Sequence, residues 1–153
     1  MHRFAEHLYS IVITLWVGAL WAIGYLAAPT LFHVLDDRAL AGKVAGQLFT
    51  YVAWLGMAAA AYLLVFVALR KDSGAFKSSV FWLVFLMLAL TVAGYFGIQP
   101  ILTQLKADSF PREVMESALR DRFAAWHGVS SIVYLIQSLL GLMLVALQGR
   151  GLR

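Results

Sequence analysis

Four stretches of this 153-residue chain, 7–35, 44–69, 78–105 and 123–149, contain no Asp, Glu, Lys or Arg. A hydrocarbon core about 30 Å thick is crossed by about 20 residues of helix, so each stretch is long enough to span a bilayer. Backbone N–H and C=O groups find no water in lipid, and segments this long and apolar must satisfy themselves as helices. The expected fold is all-α: an integral membrane four-helix bundle, one membrane domain over 1–153, with spans near 8–32, 44–69, 79–102 and 126–147.

Composition removes most other classes. The chain is 62% hydrophobic and 13% charged, against about 25% charged residues in soluble domains. No cysteine is present, which excludes disulfides, thiolate metal sites and iron–sulfur clusters within the chain. A self-contained ion-coupled pump places ionisable groups inside the membrane, and the four stretches have no Asp, Glu, Lys or Arg. No Gly-rich phosphate loop, intramembrane carboxylate pair or Ser-His-Asp arrangement identifies an enzyme. The isoelectric point near 9.6 reflects a few basic residues at span ends, which suits anionic lipid headgroups and not nucleic acid. Met1-His2-Arg3 before an apolar run has the charge layout of a signal peptide, but 8–32 is too long for the usual hydrophobic region, and we read an uncleaved first span.

Charge also orients the chain. The N-terminus, the 70–77 connection and the C-terminus carry Arg3, Arg70, Lys71, Lys77, Arg150 and Arg153 against Glu6 and Asp72. On the opposite side six basic residues are cancelled by six acids in longer loops. Basic residues in short loops mark the cytoplasmic side, so both termini are expected in the cytoplasm of a bacterial-type inner membrane. Asp36 and Asp37 precede Arg38 and suit the N-cap of the second helix. Ser109 and Pro111, followed by Val114, Ala118, Leu119 and Phe123 on one side, predict a short interfacial helix before the last span.

At helical spacing, His7, Thr14, Gly18, Tyr25, Pro29 and His33 share one side of the first span. Gln47, Tyr51 and Trp54 do so in the second, Thr91, Tyr95 and Gln99 in the third, and His127, Ser130, Ser131, Tyr134, Gln137, Ser138 and Gly141 in the fourth. These sides are expected to face one another. Pro29 and Pro100 each remove a helical donor and displace the carbonyl four residues back, at Tyr25 and Phe96, near the same membrane face. A shallow polar pocket is expected there from Tyr25, Pro29, Tyr95, Gln99, Ser130 and Tyr134, with His33, Gln104 and His127 at its rim. The simplest use of such groups is hydrogen bonding between helices, each bond being worth on the order of 1 kcal/mol. The sharper use is ligation of a metal ion or haem iron by His33 and His127.

Leu15-Trp16-Val17-Gly18, Ala28-Pro29 with Phe32, Ala41-Gly42 with Gly46 and Phe49, Pro100-Ile101, and Phe123 with His127-Gly128-x-Ser130 occur here in order. In these pieces the chain resembles the domain of unknown function 4149 family, whose eukaryotic relative is transmembrane protein 205. More distantly it is similar to the copper-resistance D membrane domain. The resemblance implies a small multi-pass membrane protein of undetermined activity, with tolerance to platinum drugs associated with the eukaryotic relative and metal handling with the distant one. Three functions are in view: a binding, assembly or stress-tolerance component; a metal-handling or small-solute permease; and a haem-binding redox protein using His33 and His127. Expected partners are the lipid bilayer and either a second copy of the chain or another membrane protein.

The charge distribution makes one direct prediction. A fluorescent protein fused after Arg153 will fluoresce, and a phosphatase active only outside the cytoplasm will be active when inserted at Phe110. The reverse pattern contradicts the orientation.

Overall fold

The computed structural model describes residues 2–110 and 113–152, and among them the chain is helical with no strand. The first rod is α1 (His2–Ala22), a π-helical turn (Ile23–Ala27) and α2 (Ala28–Val34). The second is α3 (Arg38–Lys71), followed by a 3-10 segment (Asp72–Lys77). The third is α4 (Ser79–Val92), a second π-helical turn (Ala93–Ile98) and α5 (Gln99–Ser109). A 3-10 turn (Val114–Glu116) leads to the fourth, α6 (Arg120–Gly151). All four rods are apolar and long enough to cross a membrane, as expected, and this is a multi-pass four-helix membrane bundle. The rods outrun the expected spans at their ends because charged residues can continue a helix into the headgroup zone.

One end of the bundle gathers both chain termini and the 72–77 turn. Arg70 pairs with Glu6 at 2.7 Å and its Nε donates to the Leu152 carbonyl at 3.0 Å. Tyr9 donates to the Gln148 carbonyl at 3.2 Å. We call this the terminal face and the opposite end the loop face. On the loop face Asp37 accepts from the Leu40 amide at 3.0 Å, the N-cap expected for the second helix. Ser109 does not open a new helix. Its hydroxyl donates to the Lys106 carbonyl at 2.8 Å and closes α5, because the third helix continues past Leu102 to Ser109. The short helix before the last span is the single 3-10 turn at Val114–Glu116. Pro111, Arg112 and Arg153, used in the sequence argument, lie outside the described residues.

Both π-helical turns sit directly before the prolines. Proline has no N–H to give to the carbonyls four and five residues earlier, and each helix takes up one extra residue there. The Ala28 amide reaches back to the Ile23 carbonyl, and the Gln99 amide to the Gly94 carbonyl. Tyr25 and Phe96, whose carbonyls the prolines leave without a donor, both lie in these turns. Such bulges bend a helix locally.

The packed core is confined to the terminal half. It consists of Tyr9, Ile13, Trp16, Val17 and Leu20 from the first rod, Val52, Ala59, Ala60, Leu63 and Val67 from the second, Val80, Leu83, Val84 and Met87 from the third, and Leu144 from the fourth. Lipid tails are as apolar as these side chains, so close van der Waals fit and not water exclusion holds such helices together. Glycine permits that fit at two points. A Cβ on Gly56 would lie 2.7 Å from Trp16 Nε1, and one on Gly141 would lie 3.3 Å from Val17.

Above this core the bundle loosens. No residue of the fourth rod between Arg120 and Ile136 is buried, nor any of the third between Leu88 and Gln104. Small residues, Ala28, Ala41 and Ala45, keep the first and second rods in contact there, and α5 stays beside α6. Close backbone approach between these two pairs is nearly absent above the core.

The polar sides of the first two rods are more exposed than expected, although Tyr25 and Trp54 still reach the fourth and third rods. Thr14, Gly18, Tyr25, Pro29 and His33 are exposed, as are Gln47, Tyr51 and Trp54. Thr14 is satisfied within its own helix, donating to the Ser10 carbonyl at 2.9 Å, so it needs no partner across the bundle. Large side chains, Tyr9 and Trp16, occupy the inner stripe.

Gly56→Ala will lower stability by about 1–3 kcal/mol, because the buried indole of Trp16 has no room to yield. Gly18→Ala, where a Cβ meets nothing within 4 Å, will not. Thermal unfolding in detergent compares the two, and equal stability of the Gly56 variant and the parent contradicts the tight packing at this level.

Candidate functional site

The transition between packed core and open half is held by one turn of the fourth rod, Tyr134 to Ser138. Tyr134 donates to the Leu20 carbonyl of the first rod at 2.6 Å. In an α-helix the Leu20 carbonyl is the acceptor for the Gly24 amide, so the phenol joins a helical rung where the π turn begins. Gly24 makes the approach possible, since a Cβ there would lie 2.9 Å from Tyr134 Cζ. Trp21 Nε1 donates to the Ser138 carbonyl at 3.3 Å. Toward the third rod, Gln137 Nε2 donates to the Met87 carbonyl at 3.1 Å and to Thr91 Oγ1 at 3.0 Å. Gln137 is 4% exposed and its Oε1 has no partner. One turn thus grips both bulged rods next to their π turns and forms a polar floor.

Above the floor, the pairs meet only through side chains. Gln99 Nε2 donates to Thr50 Oγ1 at 2.9 Å, and Trp54 Nε1 donates to the Tyr95 hydroxyl at 3.2 Å. Phe49 packs edge-on against Tyr134 with centroids 5.1 Å apart, and Tyr25 approaches the same ring at 6.2 Å. An open groove of about 480 Å³ runs down the third rod past Ala107, Gln104, Gln99, Pro100 and Tyr95. At the loop face Lys106 Nζ lies 5.6 Å from the Phe123 ring centroid.

Of the residues expected to form the pocket, Tyr95, Gln99 and Tyr134 make contacts across the opening between the pairs, and Tyr25 joins through its ring contact with Tyr134. Pro29 is exposed and acts through the bulge it imposes. Ser130 is half-buried one turn above Tyr134. His127 stacks on Phe123 with centroids 5.8 Å apart and planes 10° from parallel. His33 is exposed in the last turn of α2. Among the described residues no three His, Asp or Glu side chains form a metal-binding group. Thr50, Phe49 and Lys106 were not singled out for the site from sequence. Phe49 and Thr50 precede the outward Tyr51 in ordinary apolar sequence, Phe49 standing out only among the residues of the family resemblance, and Lys106 reads as a span-end charge.

The fold and this constellation define a multi-pass membrane protein with no charged side chain in the polar turn that joins its rods. The chain belongs to the DUF4149 family, described as a domain of unknown function, which matches residues 11–111. That match takes in most of the first rod and all of the second and third, while Phe123 and His127-Gly128-x-Ser130 lie beyond it. No curated protein and no solved structure matches the chain.

Tyr134→Phe will cost about 1 kcal/mol through loss of the bond to Leu20. Gly24→Ala will cost more, because the added methyl collides with the ring. In the double variant Tyr134→Ala with Gly24→Ala the collision disappears, so the two changes will be strongly non-additive. Additive losses in detergent unfolding contradict the Gly24–Tyr134 wedge.

Proposed function

We propose that this is a binding protein of the cytoplasmic membrane, which admits a small ligand from the non-cytoplasmic side into the opening between its two helix pairs. The observation that carries this reading is the abrupt end of the packed core at Gln137. Below it the rods interlock; above it they are joined by hydrogen bonds and ring contacts that can part without exposing a core. Prolines and π-helical turns at the boundary are common where a helix serves a ligand. The stress-tolerance role implied by the resemblance to transmembrane protein 205 fits a protein that sequesters a compound. No ionisable residue of the polar floor supports driven transport.

The absence of cysteine makes the test direct. With single substitutions Gly46→Cys, Ser130→Cys and Ala60→Cys in bilayers, a small membrane-impermeant maleimide added on the non-cytoplasmic side will label the first two and not the third. Equal inertness of all three contradicts an accessible opening.

A further inference from the structure

We propose that the opening holds an anionic phospholipid, with the phosphate beside Lys106 and one acyl chain lying between the helix pairs. This rests on the binding reading above and assigns its ligand class.

The charge comes from Lys106. Its ammonium lies beside groups of the fourth and second rods. Nζ lies 5.6 Å from the Phe123 ring centroid and 4.0 Å from where a Cβ on Gly42 would stand, with Phe32 Cζ 3.8 Å from that same point. Among the described residues no carboxylate pairs with it; the ion pair there is Arg70 with Glu6 at the other face. A ring contact supplies only part of the stabilisation an ammonium gains from an oxyanion. Lys106 stands one turn beyond Leu102, at the level where a span ends and phosphate groups lie.

The chain-binding part follows from what lies below. A Cβ built on Gly46 or Gly94 meets nothing within 4 Å, so glycines on the second and third rods leave space near the opening. Two polar pairs along it are closed on one another: Gln99 donates to Thr50 and Trp54 to Tyr95. A sugar or hydrated ion would require free donors and acceptors along its length, whereas an acyl chain requires none. Phe32 and Phe49 add apolar surface. A cation at headgroup level above a loosely filled slot matches the amphipathic order of a phospholipid.

The test uses the purified full chain in detergent, with lipid adducts counted by native mass spectrometry. The probes are dioleoylphosphatidylglycerol, dioleoylglycerol, which has the same chains without phosphate, and inorganic phosphate. We expect phosphatidylglycerol to bind, dioleoylglycerol to bind roughly 10-fold more weakly, and inorganic phosphate not to compete. Lys106→Gln will weaken phosphatidylglycerol roughly 10-fold, the usual effect of one charge-assisted bond. Lys43→Gln, removing another exposed lysine of the same face, will leave it unchanged. Gly46→Phe, which has room to fold, will block the chain and abolish binding at an unchanged unfolding temperature. The proposal is overturned if Lys106→Gln binds like the parent, if Lys43→Gln loses as much, or if inorganic phosphate displaces the lipid. Maleimide labelling at Gly46→Cys together with any of those results leaves the accessible opening standing and removes only the lipid.

Discussion

The phenol of Tyr134 lodged against the Leu20 carbonyl and Gly24 is the contact on which the architecture turns. Helices in lipid gain nothing from hiding apolar surface from water, so their arrangement is decided by close fit and by a few polar contacts. Here Tyr134, Gln137 and Ser138 reach from one turn of the fourth rod to both bulged rods. Below that turn, side chains of all four rods interlock around Trp16, Leu63 and Met87. Above it, the same rods have lost the means to do so.

The loss has a backbone cause. The first and third rods run in the same direction, and each passes through a Gly-Tyr pair, a π-helical turn and a proline: Gly24-Tyr25 before Pro29, and Gly94-Tyr95 before Pro100. An extra residue in a turn rotates everything beyond it relative to the face below. Side chains that would continue the inner stripe are therefore swung aside, and each bulged rod keeps close backbone company mainly with the rod that follows it. Two helix pairs on a common packed base result, and their loose contact is a consequence of fold and not of a missing side chain.

The number, length and helical nature of the spans were legible in the chain because a bilayer leaves so few alternatives, and the absence of charge over 20 or more residues is hard to misread. The prolines were equally legible: the bulges fall on the two residues, Tyr25 and Phe96, whose carbonyls lose their donors. Facing was not. In a soluble bundle a polar stripe marks the outside, and in a membrane bundle it is expected to mark the inside, yet Thr14 bonds within its own helix and Tyr51 stands 62% exposed. Uncharged hydroxyl and indole groups can satisfy themselves locally, so their side of the helix carries little information. Tyr134, Gln99 and Tyr95 do bond between rods, the simplest use of such groups. Lys106 was passed over because a lysine at a span end usually only reaches for the headgroups.

The account requires a stability gradient along single helices. Residue-resolved amide hydrogen exchange by solid-state NMR in lipid bilayers measures it most directly. Long-lived protection is expected at Val80–Met87 and Gln137–Leu144, giving way to exchange at least 10-fold faster over Thr91–Gln99 and His127–Tyr134, since local opening follows packing density. Uniform protection from end to end of the third and fourth rods would contradict a bundle that is closed on one side of Tyr134 and open on the other.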